Sequence, residues 1–196
     1  MSEAQEGTVS SFDDESVFKR CHAEVYNPET TPWENIGQRI FQLEIDEFGE
    51  ENGFEEKTLR NDFTNPENTA VILRDTGNGE IVGFTYAQPL LDLVEEDEDE
   101  EDDVEDIERL DEGKKTAYIG DTVIDAKYRG NRLVGKMMQT LEGLLKDKGF
   151  QFLERHTLLD NKYAENVAKN YEGRVVHTKS PEDSDYGKQQ FFRIKL

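Results

Sequence analysis

Tyr118-Ile119-Gly120-Asp121-Thr122-Val123-Ile124 runs through Asp125-Ala126-Lys127 into Tyr128-Arg129-Gly130-Asn131-Arg132-Leu133-Val134-Gly135-Lys136. The first seven residues are mostly β-branched or aromatic, a strand signature. Beyond the polar connection, Leu133, Val134, Met137, Met138, Leu141, Leu144 and Leu145 recur at helical spacing. They predict an amphipathic helix over about 131–148, stopped by Gly149. The first amides of such a helix lack partners and direct partial positive charge at one spot, which suits a pyrophosphate. Gly130 and Gly135 let a backbone approach an anion closely, and Arg129, Arg132 and Lys136 add positive charge. An ordinary strand–turn–helix connection with solvated bases presents the same residues, so the local chemistry leaves both readings standing.

Working outward, Val17 to Tyr26 reads as a first strand. Thr31 as N-cap, Pro32 at the first helical position and Glu34 form a capping-box signature. Trp33, Ile36, Ile40 and Leu43 then mark one buried helix face running to about Phe48. A shorter helix over Glu55 to Phe63 ends before Asn65-Pro66. Thr69–Arg74 and Glu80–Ala87 read as strands, joined through Asp75-Thr76-Gly77-Asn78-Gly79 as a β-hairpin. Downstream of the opening unit lie a strand (Phe150–Glu154), a helix (Asn161–Tyr171) and two closing strands (Arg174–Thr178, Gln189–Leu196). The order β-α-α-β-β-β-α-β-α-β-β predicts an α/β fold with a mixed sheet. Residues 1–15 read as a loose tail and 16–196 as one domain.

The chain carries 45 acids and 23 bases among 196 residues, a net charge of −22. Residues 95–112 alone hold fourteen acids and one base, too dense a run of like charge for a packed strand. It reads as a solvated insertion between the third and fourth strands. Such acidity disfavours nucleic acid and anionic membrane surfaces as partners. It favours cationic ones, whose local concentration a negative field raises. Cys21 is the only cysteine, and the N-terminus shows no secretory pattern, which points to a reducing cytoplasm. His22, His156 and His177 show no metal-ligand spacing, so no metal is expected; His156 is a candidate base.

The segment 118–136 resembles motif A of the Gcn5-related N-acetyltransferases. In that family arginine or glutamine, two residues, glycine, one residue, then glycine or alanine wrap the pyrophosphate of acetyl-CoA. Arg129 fits the first position, the two small positions fall on Arg132 and Val134, and Gly130 and Gly135 flank them. The order of strands and helices also matches over roughly Val17 to Leu196. Within the family, Tyr118-Ile119-Gly120-Asp121 and Tyr128-Arg129-Gly130 are most similar to diamine (polyamine) acetyltransferases, with Gly120 in place of a glutamate. The resemblance implies the acyl-CoA N-acyltransferase fold and acetyl-CoA as co-substrate, held by residues 129–136 together with Val123, Ile124 and Asn161. Asn161, Ala164 and Ala168 fall on the landmarks of a later helix, with alanine where relatives have a tyrosine acid. Tyr171, almost one turn on, is the substitute candidate, and Tyr163 a weaker one.

On this reading Asp121 removes a proton from a primary amine, the amine attacks the thioester directly, and Tyr171 protonates the departing sulfur. The expected acceptor is a small polyamine-like molecule or a lysine or N-terminal amine, and a homodimer is left open. Two other readings compete. One is a non-catalytic acyl-CoA-binding regulator on the same fold; the other is an interaction module whose acidic run docks a basic partner.

Overall fold

The computed structural model describes residues 14–90, 115–159, 163–179, 181–184 and 187–196; the acidic run and Asn161 lie outside them. Its elements are α1 (Asp14–Arg20), β1 (Cys21–Val25), α2 (Trp33–Phe48), α3 (Glu56–Thr64), β2 (Thr69–Asp75), β3 (Glu80–Pro89) and β4 (Lys115–Ile124). A 3-10 turn (Ala126–Tyr128), α4 (Leu133–Asp147), β5 (Phe150–Leu158), α5 (Tyr163–Asn170), β6 (Val175–Thr178), β7 (Glu182–Ser184) and β8 (Gly187–Lys195) follow. The strands form one sheet in the order β1-β2-β3-β4-β5-β8-β6, with β7 also on β8. Every pairing is antiparallel except that of β4 with β5.

Alternation along the strands sends side chains to two cores. Val71, Leu73, Val82, Ala117, Ile119 and Leu153 pack with Leu133, Met137, Leu141 and Leu145 of α4. Ile72, Phe84, Tyr86 and Val123 face the other way, onto Ile36, Ile40 and Leu43 of α2 and Leu59 and Phe63 of α3. Phe63 is the hub of the second core, edge-on to Tyr26, Trp33 and Phe84 at 5.5–5.7 Å between ring centres. Aromatic pairs of this kind add roughly 0.5–1.5 kcal/mol each beyond area burial.

Two local expectations are corrected, and one strand is added. Val17 lies in a helix, and the first strand starts only at Cys21. Lys19 and Arg20 in the last turn of α1 suit the helix dipole. The Lys136 ammonium completes that helix end by donating to the carbonyls of Phe18 (2.7 Å) and Cys21 (2.6 Å). The capping box does not form: Pro32 occupies the cap without a side-chain bond, and Glu34 instead pairs with Arg60 of α3 at 2.6 Å. Strand β7 was not foreseen, because its three polar residues carry no apolar alternation.

Candidate active site

β4 and β5 pair from Lys115↔Phe150 to Tyr118↔Glu154 and no further, although β4 continues to Ile124 and β5 to Leu158. On its other edge β4 stays registered with β3 as far as Ile124↔Gly83. The two central strands therefore diverge into a wedge beyond Tyr118. This leaves one edge of β4, with its backbone donors and acceptors, facing the gap. The closed end of the wedge is tied by Arg193 of β8, which donates to Glu154 (2.6 Å) and Thr116 (3.1 Å) and lies over the Phe152 ring. These charges are buried, and mutual pairing is what makes that burial tolerable.

The loop from β4 to α4 lies beyond the open end of β4. Asp125 accepts the Lys127 amide at 3.0 Å and pairs with Arg39 at 2.6 Å, while the Tyr128 hydroxyl donates to Asp75 at 2.9 Å. Asn131 donates to the carbonyls of Tyr128 and Arg129, so it braces the loop from within. Gly130 has φ +83°. Arg132, the N-cap of α4, has φ +58°, the only positive φ at a non-glycine among the described residues. That conformation costs an L side chain roughly 1–2 kcal/mol and explains why glycine is expected at this motif position. Gly135 has nothing within 4 Å of an added Cβ. The open backbone at Gly135, the first-turn amides of α4 and the exposed Arg132 fit a pyrophosphate.

The other predicted cations are engaged elsewhere. Arg129 donates to the Ile124 carbonyl at 3.1 Å and pairs with Glu47, and Lys136 holds the end of α1. Val123 and Ile124 bury their side chains in opposite cores, as Leu133 and Val134 pack against the α4 core. Any contribution of Val123 and Ile124 to a ligand in the wedge therefore comes from the backbone. The structure thus gathers residues 129–135 around one loop and sets Lys136 to a different task.

Across β3 and β4, Thr85 pairs with Thr122 and Ala87 with Ile119, so Tyr86 opposes both Gly120 and Asp121. This is a β-bulge, which re-aims side chains. A Cβ on Gly120 would lie 2.3 Å from Tyr86 Cζ, so the tyrosine fills the space that a glutamate would need. Asp121 is half-buried, and its Oδ2 is covered and has no hydrogen-bond partner. Burial, and then Asp62, push its carboxyl up to about 6; a hydrogen bond from Tyr86 and the charge of Arg155 act the other way. Behind it, Glu44 of α2 is 1% exposed. Its Oε1 accepts the Phe54 amide at 3.1 Å, and its Oε2 has no partner. Burial and the charge of Asp121 push Glu44 up to about 8.

At the vertex, the Tyr118 hydroxyl of β4 lies 3.0 Å from His156 Nδ1 of β5. Burial and Asp121 raise the Tyr118 phenol above its ordinary value. Tyr171 sits elsewhere: it is buried, donating to Glu142 at 2.7 Å, while Arg174 binds the other Glu142 oxygen at 2.8 Å. Glu142 lies nine residues beyond Leu133, about 13 Å along the helix axis from the loop. The sequence reading passed over Glu44, although its position four after Ile40 on the buried stripe of α2 was a usable signal. Tyr118 and His156 meet only through the parallel register of β4 and β5, which spacing alone does not reveal.

The profile of the Acetyltransferase (GNAT) family matches residues 37–171, and the chain belongs to that family. It is an acetyl-CoA-dependent N-acetyltransferase, with acetyl-CoA as co-substrate. No curated protein matches the sequence. Among solved structures it is similar to Arabidopsis thaliana NAA60 in complex with acetyl-CoA, at 16% identity and TM-score 0.64, over 90% of this chain and 98% of that one. A mosquito arylalkylamine N-acetyltransferase like 5b aligns at 14% identity and TM-score 0.62, over 90% and 100%. The ribosomal-protein-S18-alanine N-acetyltransferase from Escherichia coli aligns at 14% identity and TM-score 0.56, over 90% and 92%.

Proposed function

We propose that the enzyme acetylates a primary amine of a cationic acceptor, a small polyamine-like molecule or a lysine or N-terminal amine, by direct attack on the thioester. The carrying observation is the wedge, with Tyr118 and His156 at its vertex and Asp121 three residues further along β4. An alkylamine with a pKa near ~10.4 arrives protonated, so the site must remove a proton first. Asp121, raised to about 6, remains ionised at neutral pH and is a stronger base than a surface carboxylate. Tyr118, raised above its ordinary value, keeps its proton and is therefore suited to protonate the leaving sulfur, with His156 beside it to restore that proton. The acid role thus passes to Tyr118, since the Tyr171 hydroxyl is already given to Glu142.

The backbone edge of β4 would hold the pantetheine arm, and the α4 N-terminus with Arg132 the pyrophosphate. Net charge supports a cationic acceptor. Similar folds bear the names of acetyltransferases for an arylalkylamine and for a ribosomal-protein alanine, so both small and polypeptide amines suit this architecture. The one cysteine, Cys21, is buried and outside any disulfide, in keeping with the proposed cytoplasmic setting. The test is free-thiol release from acetyl-CoA with a panel of diamines and peptides. D121N should lose about 10²-fold or more in kcat, the usual value of a general base, with acetyl-CoA affinity within a few-fold. Y118F should lower kcat without raising KM for the amine. Wild-type turnover in D121N refutes the base assignment.

A further inference from the structure

Asp75 closes β2, opposite Cys21 of β1 and Glu80 of β3. It is 2% exposed, so its carboxylate needs several donors to offset the hydration it has lost. Arg20 Nε, at the end of α1, reaches Oδ1 at 3.0 Å and Oδ2 at 2.8 Å. The Gly77 amide donates to Oδ1 at 2.9 Å, and the Tyr128 hydroxyl to Oδ2 at 2.9 Å. Burial works against the charge, yet these bonds outweigh it and hold the carboxyl below its ordinary value. Gly77 belongs to the same hairpin, whereas Tyr128 comes from the loop between β4 and α4. We propose that Asp75 is a positioning residue for acetyl-CoA, holding the Tyr128 hydroxyl and so fixing the entry to the loop that takes the pyrophosphate. The proposal rests on the reading above that this loop and the first turn of α4 hold that group.

The chain around Tyr128 shows why one hydroxyl matters. Tyr128 ends the 3-10 turn, shortly before Gly130 at φ +83° and Arg132 at φ +58°. A left-handed arginine persists only where the flanking chain over-determines it. Downstream, α4 supplies that constraint. Upstream, the Tyr128 amide donates to the Asp125 carbonyl at 2.8 Å, and Asp125 is tied to Arg39. Asn131 binds the carbonyls of Tyr128 and Arg129, so it passes a movement of Tyr128 on to the loop rather than resisting it. Asp75 is what ties the Tyr128 side chain to the sheet. Arg20 steadies Asp75 in turn, and its own carbonyl accepts the Thr76 amide at 2.9 Å and the Thr76 hydroxyl at 2.8 Å. The end of α1, the hairpin and the loop are therefore joined through one buried carboxylate.

The experiment measures acetyl-CoA affinity by calorimetric titration, and melting temperature without ligand, in wild type, Y128F, D75A, Y128F/D75A and G135L. A loop free to leave its binding form raises the apparent Kd by the inverse of the fraction that stays competent; with roughly one-fifth competent, Y128F should bind about fivefold more weakly. D75A should weaken acetyl-CoA by the same factor, although it also drops the Arg20 and Gly77 contacts and melts at much lower temperature. The double variant should bind no more weakly than D75A, because both changes cut one link. With saturating acetyl-CoA and the diamine or peptide that wild type acetylates, kcat in Y128F should stay within about twofold, since Asp121 and Tyr118 are untouched. Wild-type affinity in Y128F, additive losses in the double variant, or a kcat that falls as far as the affinity overturns the role of Asp75. Y128F keeps the other Asp75 contacts, so it decides the question even where D75A does not fold. Gly135 has room for a side chain, so G135L should keep the fold and weaken acetyl-CoA at least about tenfold, the worth of one charge-assisted contact. Unchanged affinity in G135L overturns instead the placement of the pyrophosphate at this loop, so the two failures can be told apart.

Discussion

Gly120 offers the sharpest test of how the bulge is built. Replacing it with alanine puts Cβ 2.3 Å from Tyr86 Cζ, 2.4 Å from Cε2 and 2.5 Å from the hydroxyl oxygen. All three are below any contact that real side chains show, so either the ring or the β4 backbone must move. The ring has little freedom: Tyr86 is 1% exposed, packs at 5.7 Å from Phe63 and carries the hydroxyl that bonds Asp121. The backbone is also constrained, being registered with β3 on both sides of the bulge. Overpacking at such a site costs about 1–3 kcal/mol. For a chain of this length that is roughly 2–12 °C of melting temperature. Truncating Tyr86 alone removes a large buried aromatic, at about 3–5 kcal/mol. In the G120A/Y86A pair the clash vanishes, so the double variant should be no less stable than Y86A. The coupling should therefore be about 1–3 kcal/mol in the rescuing direction, read by urea unfolding of the four-protein cycle. Wild-type stability in G120A, or strict additivity in the cycle, would refute the claim that Tyr86 fills the place of a side chain at 120.

Two further outcomes follow from the loop and from the far flank of α4. Arg132→Gly removes the left-handed arginine. Relief of about 1–2 kcal/mol, less about 0.5–1 kcal/mol for glycine's added chain freedom, should raise the melting temperature by a few degrees. KM for acetyl-CoA should rise several-fold, and a lower melting temperature would refute the strain argument. Tyr171→Phe deprives Glu142 of one donor while Arg174 stays, which should cost about 1–2 kcal/mol in unfolding experiments with kcat within twofold. A tenfold fall in kcat would return the acid role to Tyr171.

What the sequence made legible was whatever local periodicity and turn chemistry dictate. The helix over 133–147 and the hairpin at Asp75–Gly79 are where the apolar spacing and the glycines put them. The family signature worked because a tight strand–loop–helix unit is local. What stayed hidden depended on partners distant in sequence. Val17 looked like a strand residue because nothing nearby shows that Lys136, more than a hundred positions away, will receive the carbonyls at the end of its helix. Lys136 was assigned to phosphate for the same reason. Gly120 read as a lost glutamate, whereas it is a position already filled from β3 by Tyr86. Tyr171 fell close to the right helical face, but Glu142 decides where its hydroxyl points.

These corrections also change what the charge means. Two of the three bases that make the 129–136 segment look like a basic island are neutralised or bound within the protein, so the proposed phosphate recognition falls to backbone amides and one exposed arginine. On the proposed placement of the pyrophosphate, the aligned amides at the start of α4 supply local partial positive charge that works against repulsion from a chain of net charge −22. The same acidity acts in two opposed ways on the cationic acceptor proposed above. A negative potential concentrates a cationic amine, yet it also stabilises the ammonium form that cannot attack. A surface carboxylate would be too weak a base to overcome that second effect. One raised by burial and by Asp62, as Asp121 is, stands closer to the amine in proton affinity. For the cationic acceptor and the base proposed above, the exposed acids and the raised Asp121 are therefore counterparts: attraction of the amine demands a stronger base, and burial supplies it.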